Sequence, residues 1–432
     1  MTERVLLVGG GGREHAIARA VMASDEEVTL FACAGNRNPG IDDLATEYRI
    51  LDSTDADEVT TFATAVDATL AVIGPEAPLA AGVANALEAA GIYPFGPSAD
   101  VARIETDKAW QRQFMREHGI TGTPEFEVFD ESEAAADYVE SYPGDVAVKP
   151  TGLTGGKGVR ITGDQLSKAE ARAYILESDY DSWVIEERLV GEEFTVQALV
   201  ANGAVRPTPA VQDHKRAFEG DEGPNTGGMG SYSDARATLP FMAEDDYEAA
   251  VGILEETVAA LPAYNGVLYG QFMLTSDGPK VVEFNARFGD PEAMNTLPVL
   301  QTDLVEVLTA ARAGVPLPEL EFRAKATVCK YAVPAGYPTD PVGGTKIGID
   351  ESTTGDALLF WASVDEREDG IYTTTSRSFA VVGVDDTIAE AERIAEVAIG
   401  AAGEDGLRVR HDIGTDALVQ RRIDHMAEIR GA

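Results

Sequence analysis

Short apolar runs alternate with glycine-containing turns and amphipathic stretches over the first hundred residues of the chain. The runs at 5–8, 28–32 and 70–73 predict buried strands, and the apolar spacing over 15–22 predicts a helix. Strands that alternate with helices in this way form a parallel sheet. Because ligands bind such sheets beyond the carboxyl ends of the strands, the loops that follow these three strands are candidate binding loops.

The pattern changes along the rest of the chain. A helical pattern covers 98–118, and short strands and helices alternate over 124–190. A smaller unit begins after Ala324, and its last clear helix is expected to begin at Thr387, where Glu390 completes a capping box. The other predicted elements are strands at 194–200, 270–274, 281–284, 327–333, 357–363 and 378–384 and a helix at 243–261.

Composition bounds the location and the partners of the chain. Its 432 residues include 34 basic and 74 acidic side chains, and the formal net charge of −40 disfavours nucleic acid and anionic membranes as partners. No run approaches the about 18 apolar residues of a membrane span, and the N-terminus lacks the pattern of a signal peptide. Two cysteines make no disulfide framework, so we expect a cytoplasmic protein. Dense acidity with only nine lysines is typical of a halophilic protein, and an acidic protein at ordinary salt is the alternative.

A glycine-rich loop at 151–159 indicates a phosphate site. Its spacing is not that of a P-loop, and the N-terminal glycines do not have the spacing of a dinucleotide fingerprint. Backbone amides in such a loop are free to point at an anion. Lys108, Lys149 and Lys157 are three of only nine lysines, which favours a nucleotide phosphate site over a surface hairpin with incidental lysines. The loop residues expected at the phosphates are Gly155, Gly156, Lys157 and Gly158.

The strand that follows this loop ends in a pair of glutamates that is suited to a nucleoside. Adenine needs an apolar slot with hydrogen-bond acceptors. The segment 186–189, which includes Glu186, Glu187 and Leu189, can provide both. Glu193 is placed to bind the ribose. A pair of solvated glutamates is the alternative, because such pairs are common in an acidic chain.

The strand around 280–287 carries the strongest metal signal in the sequence. Glu283 and Asn285 are two residues apart, so their side chains share one face of the strand. Carboxylate and amide oxygens suit Mg²⁺ or Mn²⁺ that is also held by ATP phosphates, and Gln271 on the preceding strand is a candidate third ligand. Arg287 is again in register and is expected to bridge the γ-phosphate and an acyl substrate. The alternative is an edge strand with its polar residues in solvent.

These motifs together resemble one family from end to end. VGGGGREHA, GPEAPL, KPTGLTGGKGV, QDHKR, GPNTGGMG and EFNARFGDPE occur in an order and spacing similar to the phosphoribosylamine–glycine ligases of the ATP-grasp superfamily. The resemblance implies an α/β ATP-grasp fold with an N-terminal parallel-sheet domain at 1–103 and an ATP-grasp domain at 104–325. It further implies a lid subdomain at about 122–189 and a small C-terminal α+β domain at 326–432. One departure is TTTSRSFAVVGV, which stands where a glycine-rich GGR segment is common.

The resemblance also implies a reaction. ATP would phosphorylate the glycine carboxylate, and the amine of 5-phosphoribosylamine would attack the acyl phosphate, an early step of purine synthesis. Another ATP-grasp carboxylate–amine ligase or a biotin carboxylase-like enzyme is the alternative. The chain is expected to be a monomer or weak homodimer, and His15 is expected to pack or hydrogen bond rather than act as a base.

The resemblance assigns further site residues by their motifs. The expected catalytic residues are Arg287, Lys215 and Asp213. The expected substrate-binding residues are Gly11, Gly12, Arg13, Gly74, Pro75, Glu76, Asn225, Thr226, Gly227, Gly228, Met229, Asp290 and Glu292.

Overall fold

A computed structural model describes residues 2–152, 158–349, 351–403 and 406–431. The N-terminal part is a parallel sheet of five strands, which confirms the parallel sheet predicted from the sequence. Its elements are β1 Glu3–Val8, α1 Gly12–Met22, β2 Val28–Ala34, α2 Pro39–Asp42, β3 Glu47–Ile50, α3 Ala56–Ala65, β4 Leu70–Ile73, α4 Glu76–Ala80, α5 Val83–Ala89 and β5 Tyr93–Phe95. The strand order β3-β2-β1-β4-β5 brings the loops after β1, β2 and β4 to one edge of the sheet.

Two helices connect this sheet to the middle of the chain, and they correct the single helix predicted over 98–118. They are α6 Ala99–Thr106 and α7 Lys108–His118. Asp107 interrupts them because its φ of −134° and ψ of 94° are extended, and its carboxylate accepts a hydrogen bond of 2.9 Å from the Trp110 amide. The break places Lys108 in the first turn of α7, at the edge of the central cleft.

The segment 126–187 lies within the predicted lid at about 122–189, takes the name lid from that prediction, and has a small core of its own. It consists of β6 Phe126–Phe129, α8 Ser132–Ser141, β7 Val146–Pro150, β8 Arg160–Ile161, α9 Lys168–Glu177 and β9 Trp183–Glu187. The antiparallel strands lie in the order β6-β9-β7-β8. Trp183 and Ile175 are fully buried between this sheet and the helices α8 and α9.

The central sheet carries the residues expected to bind metal. The middle of the chain contains β10 Glu192–Ala201, β11 Ala204–Pro207, β12 Gln212–Asp213, β13 Arg216–Phe218, β14 Glu222–Asn225, β15 Gly230–Ser233, α10 Glu244–Ala260, β16 Gly266–Thr275, β17 Gly278–Asn285, α11 Glu292–Thr296 and α12 Leu304–Ala313. The strands β11-β10-β16-β17 form one antiparallel sheet with β17 at its edge. The register of β16 and β17 sets Gln271 directly opposite Glu283.

The C-terminal unit is an α+β layer joined to the middle of the chain through its main sheet. Its elements are β18 Ala326–Pro334, β19 Lys346–Ile347, β20 Leu358–Trp361, β21 Val364–Arg367, β22 Gly370–Thr373, β23 Phe379–Asp385, α13 Ile388–Ala402, β24 Leu407–Arg408 and α14 Asp416–Arg430. The sheet order β12-β15-β18-β23-β20 adds two short strands of the middle region to this unit. Single-turn 3₁₀ segments lie at Glu219–Asp221, Leu297–Val299 and Glu351–Thr353.

The helix α14 corrects the expectation that the last clear helix begins at Thr387. Thr387 does cap α13, since its hydroxyl accepts a 3.2 Å hydrogen bond from the Glu390 amide. A further helix nevertheless follows, and Leu418 and Met426 are its fully buried residues. Its apolar pattern is therefore too sparse to be recognised from the sequence. Among the described residues, no helix combines the length and the apolar character needed to cross a membrane.

The separate core of the lid leads to a stability prediction. Ile175 on α9 is fully buried, whereas its neighbour Leu176 is 40% exposed. We expect Ile175→Ala to lower the local stability of the lid by about 2–5 kcal/mol, because it removes buried methyl groups and leaves a cavity. The matched control Leu176→Ala should cost no more than about 0.5 kcal/mol. Amide hydrogen exchange of β7 and β9 measures both values, and equal protection in the two variants would contradict a separate core in the lid.

Candidate active site

One cleft, with a volume of about 1020 Å³, brings the predicted site residues together. It lies between the loop edge of the N-terminal sheet, the lid, the strands β16 and β17 and the C-terminal unit. Of the predicted site residues that the structure describes, all but four line this cleft. Those four are Gly74, Gly158, Gly228 and Met229. Gly155, Gly156 and Lys157 lie outside the described residues.

A buried ion cluster joins the lid to β17. The Glu186 carboxylate lies 2.7 Å from Nε of Arg112 and 2.8 Å from Nζ of Lys149. Arg112 also donates to the carbonyls of Val281 and Val282 at 3.0 and 2.7 Å, and Lys149 donates to Val282 at 3.0 Å. Burial acts to raise the pKa of Glu186, but the charges of Arg112 and Lys149 outweigh it and the pKa is lowered. Glu186 is therefore an ion-pair partner inside the protein, and its backbone lies in β9 between β6 and β7.

Lys108 links α7 to the beginning of the glycine-rich loop. Its Nζ donates a 2.6 Å hydrogen bond to the carbonyl of Gly152, the second residue of that loop. Burial lowers the pKa of Lys108, and the nearby carboxylate of Glu283 acts in the opposite direction. An anion bound in the cleft would stabilise the charged form of this lysine.

The three predicted metal ligands lie together on the face of β16 and β17 that lines the cleft. Gln271 and Glu283 are opposite each other, and Asn285 follows on the same face of β17. No group of three or more His, Cys, Asp or Glu side chains among the described residues is arranged to hold a metal ion by itself. One carboxylate and two carboxamide oxygens do fit a hard cation that takes its remaining ligands from phosphate and water.

Lys215 crosses the cleft to this group. Its Nζ donates to Oε1 of Gln271 and lies 3.9 Å from Oε1 of Glu283, while Nε2 of Gln271 donates to Glu193 at 2.7 Å. Burial acts to lower the pKa of Lys215, but the carboxylates led by Glu283 and Glu193 outweigh it, so the pKa is raised. Lys215 therefore stays cationic beside the expected metal ligands.

Arg287 is fixed at the boundary with the N-terminal part. Its Nη2 lies 2.8 Å from Oε1 of Glu105, and its Nε lies 3.6 Å from Oε2 of Glu76. Burial acts to lower the pKa of Arg287, but the two carboxylates outweigh it and the pKa is raised. The guanidinium is held in place before any ligand arrives, which is the preorganisation that charge stabilisation requires.

The side chain of Glu14 folds back onto the glycine-rich loop that follows β1. The carboxylate of Glu14 accepts a 2.7 Å hydrogen bond from the Gly11 amide and lies 2.6 Å from Nε of Arg13. Arg13 also donates to the carbonyl of Phe288 at 3.0 Å, which ties the loop to the segment that follows β17. Gly74 is behind the loop, where an added Cβ would lie 2.0 Å from Glu14.

The structure confirms that His15 is a packing residue. Its Nδ1 accepts a 2.9 Å hydrogen bond from the Trp361 amide, and its ring meets the edge of Phe360. Burial lowers the pKa of His15 to about 3, so the imidazole is neutral at ordinary pH. It holds the C-terminal unit against the N-terminal part and does not line the cleft.

The loop at 225–229 lies against a pair of buried carboxylates. Gly228 has φ +107°, and a Cβ there would lie 2.7 Å from Oδ1 of Asp213, so only glycine fits. That oxygen is buried and has no hydrogen-bond partner among the described residues. Burial, followed by the charge of Glu292, raises the pKa of Asp213, and burial raises that of Glu292. This end of the cleft is suited to a cationic amino group.

Sequence reasoning missed several residues that organise the site. Arg112 had a usable signal, because it lies four residues after Lys108 and so shares its helix face. Glu105, which accepts from the Ala286 amide at 2.7 Å, had no such signal. Arg377 lies in the segment that departs from the family pattern and reaches the cleft only through the fold.

Comparison with known proteins gives consistent matches over nearly the whole chain. Family models match at 3–105 (phosphoribosylglycinamide synthetase, N domain), 106–293 (the ATP-grasp (A) domain) and 327–416 (the C domain). The phosphoribosylamine–glycine ligase of Methanosarcina barkeri is 53% identical over 438 residues, which cover 99% of this chain and 100% of that protein.

Solved structures agree with these matches. The crystal structure of phosphoribosylamine–glycine ligase from Thermotoga maritima has a TM-score of 0.80 and 28% identity, covering 95% of this chain and 99% of that one. The biotin carboxylase domain of the Hydrogenobacter thermophilus 2-oxoglutarate carboxylase has a TM-score of 0.73 at 16% identity, covering 98% of this chain and 93% of that one. The second likeness concerns the fold alone.

The ion cluster leads to a prediction that separates two adjacent glutamates. We expect Glu186→Gln to lower the free energy of unfolding by about 3–5 kcal/mol, because it leaves two buried cations without their counter-charge. The matched control Glu187→Gln should cost less than about 1 kcal/mol, since Glu187 pairs with Lys280 at a partly exposed site. Urea unfolding at constant pH and salt measures both. A smaller loss for Glu186→Gln than for Glu187→Gln would contradict the assignment.

Proposed function

The chain belongs to the phosphoribosylglycinamide synthetase family, and from that premise we propose that it joins glycine to 5-phosphoribosylamine with ATP. The products are glycinamide ribonucleotide, ADP and phosphate, so the chain is an ATP-dependent ligase of purine biosynthesis. The observation that carries the proposal is a single cleft that holds lysines, an oxygen-ligand set and a carboxylate pair.

We propose that one end of the cleft binds the nucleotide. Lys108 and Lys149, together with Gly155, Gly156, Lys157 and Gly158 of the loop, would contact the phosphates, as the resemblance implies. The backbone of Glu186 to Leu189 would contact adenine, and Glu193 would contact ribose. Glu283, Asn285 and Gln271 would hold Mg²⁺ or Mn²⁺, which supplies positive charge to the ATP phosphates when bound.

The other end of the cleft would bind the two substrates that are joined. A carboxylate is a poor electrophile, so its oxygen first takes the γ-phosphoryl group of ATP and ADP leaves. The amine of phosphoribosylamine then attacks the acyl carbon to form the C–N bond, phosphate leaves with both electrons of the C–O bond, and the nitrogen gives up one proton to the departing phosphate. Arg287 and Lys215 would stabilise the negative charge of this transfer. Asp213 and Glu292 would receive the amino group of glycine.

We propose that each domain has the role that the resemblance implies. Residues 1–103 would hold phosphoribosylamine with the glycine loop at 11–13 and with 74–76, and 104–325 would hold ATP. The lid at about 122–189 would close and keep water from the acyl phosphate. Residues 326–432 would complete the wall of the substrate pocket.

Product formation with each component omitted in turn tests the proposed reaction. ADP release should require ATP, glycine, phosphoribosylamine and a divalent metal, and chelation should abolish it. Glu283→Gln should lower kcat/KM by roughly 10²–10³-fold, the range seen when a group that stabilises transferring charge is lost. Glu319→Gln, an exposed carboxylate paired with Arg206 outside the cleft, is the matched control and should be active. Full ADP release with bicarbonate in place of glycine would favour the carboxylase alternative instead.

We further propose that the chain works in a high-salt cytoplasm as a monomer or weak homodimer, without nucleic acid or membrane partners. The support is the net charge of −40, whose self-repulsion is screened by salt. Thermal unfolding and sedimentation in a KCl series test this together. The unfolding temperature should rise steadily towards molar KCl while the sedimenting mass stays between one and two chains. An unfolding temperature independent of KCl, or a larger assembly, would contradict the proposal.

A further inference from the structure

Arg377 is a side chain of the C-terminal unit that reaches two loops of the middle region inside the cleft. It lies between β22 and β23, and its side chain is 13% exposed. Nη1 donates to the carbonyl of Gly227 at 2.6 Å and to the carbonyl of Asp290 at 3.0 Å. Nη2 lies 3.2 Å from the Asp290 carboxylate. One guanidinium therefore joins the loop at 225–229 to the loop that follows β17.

A tyrosine of β18 supports this arrangement from behind. The guanidinium carbon of Arg377 lies 4.5 Å from the ring centre of Tyr331, which is a cation–π distance. The hydroxyl of Tyr331 donates to the other carboxylate oxygen of Asp290 at 2.6 Å. Asp290 is therefore contacted by both side chains of the C-terminal unit, and the three side chains form one connected cluster.

The joined loops border the residues proposed to bind the amino acid. Gly228 packs against Asp213, and the hydroxyl of Thr226 donates to the carbonyl of Lys215 at 2.8 Å. The amide of Thr226 donates to that same carbonyl at 2.7 Å. A displacement of the loop would therefore shift both Asp213 and Lys215 at the acceptor end of the cleft.

We infer that Arg377 is a positioning residue for the amino-acid end of the cleft. It fixes the loop at 225–229 relative to Asp290 and thereby sets the place of Asp213 and Lys215. This inference rests on the proposed function for the identity of the substrate. The role needs the planar fork of arginine, because acceptors on two loops and an aromatic face are engaged at once, whereas lysine offers a single ammonium.

Steady-state kinetics of Arg377→Ala and Arg377→Lys test the inference. We expect both to raise the KM for glycine by roughly 10- to 100-fold, the effect of losing hydrogen bonds to a charged group. Binding of ADP without added metal, measured by calorimetry, should change by less than about twofold, since Lys215 lies beside the proposed metal ligands and not among the proposed phosphate and adenine contacts. A purely structural role would instead weaken the binding of both glycine and ADP and lower the thermal stability.

Arg367 is the matched control for these variants. It also pairs with an aspartate, Asp365 at 2.9 Å, and also lies on a tyrosine ring, Tyr372 at 4.3 Å, but it is half exposed and outside the cleft. Arg367→Ala and Arg367→Lys should leave the KM for glycine unchanged. If Arg377→Ala does not fold, the KM for glycine of Arg377→Lys alone tests the inference.

The outcomes separate this inference from the proposed function. A wild-type chain without glycine-dependent ADP release would overturn both. If the wild type is active, an unchanged KM for glycine in Arg377→Lys would overturn the positioning role alone. A single positive charge at position 377 would then be enough for glycine binding, and the contacts of the guanidinium with the two loops would not be needed. Equal losses in glycine and ADP binding would overturn it as well.

Discussion

The buried cluster of Arg112, Glu186 and Lys149 is the interaction on which the rest of the site depends. Taking three charges out of water costs several kcal/mol per ion, and the cluster is stable only because each charge is paired and hydrogen bonded. Its members lie on α7, β9 and β7, and two of them also bind carbonyls of β17. The cluster therefore fixes the lid strands against the strand that carries Glu283 and Asn285.

The charges of the cleft contrast with the charge of the chain as a whole. A net charge of −40 repels ATP at a distance, yet Lys108, Lys149 and Lys215 all line one cleft. Each is balanced by a nearby carboxylate or carbonyl, so the site is stable before the nucleotide binds. Short-range positive charge at the end proposed to bind the nucleotide and the carboxylate pair at the other end give the two halves of the cleft opposite preferences. That difference suits a reaction in which an anionic donor transfers a phosphoryl group to the carboxylate of a substrate that also carries an amino group.

The sequence was informative where chemistry follows local geometry. Two-residue spacing placed Glu283 and Asn285 on one face, and alternating elements predicted the parallel sheet. It was uninformative where a partner comes from a distant part of the fold: Glu105 reaches Arg287 across 182 positions, and Arg377 binds Asp290 across 87. The break at Asp107 did have a local signal, because an aspartate is a common helix cap. The apolar pattern continues through this position, however, and concealed the break. Which acceptors a buried arginine meets depends on loop packing, which residue spacing does not encode.

A crystal structure of the chain with ADP and magnesium tests the central claim most directly. We expect the phosphates to lie among Lys108, Lys149 and the loop at 151–159, with the metal bound by Glu283 and Asn285 and the Arg112–Glu186–Lys149 cluster intact. A nucleotide bound elsewhere, or a metal that has no contact with β17, would contradict it.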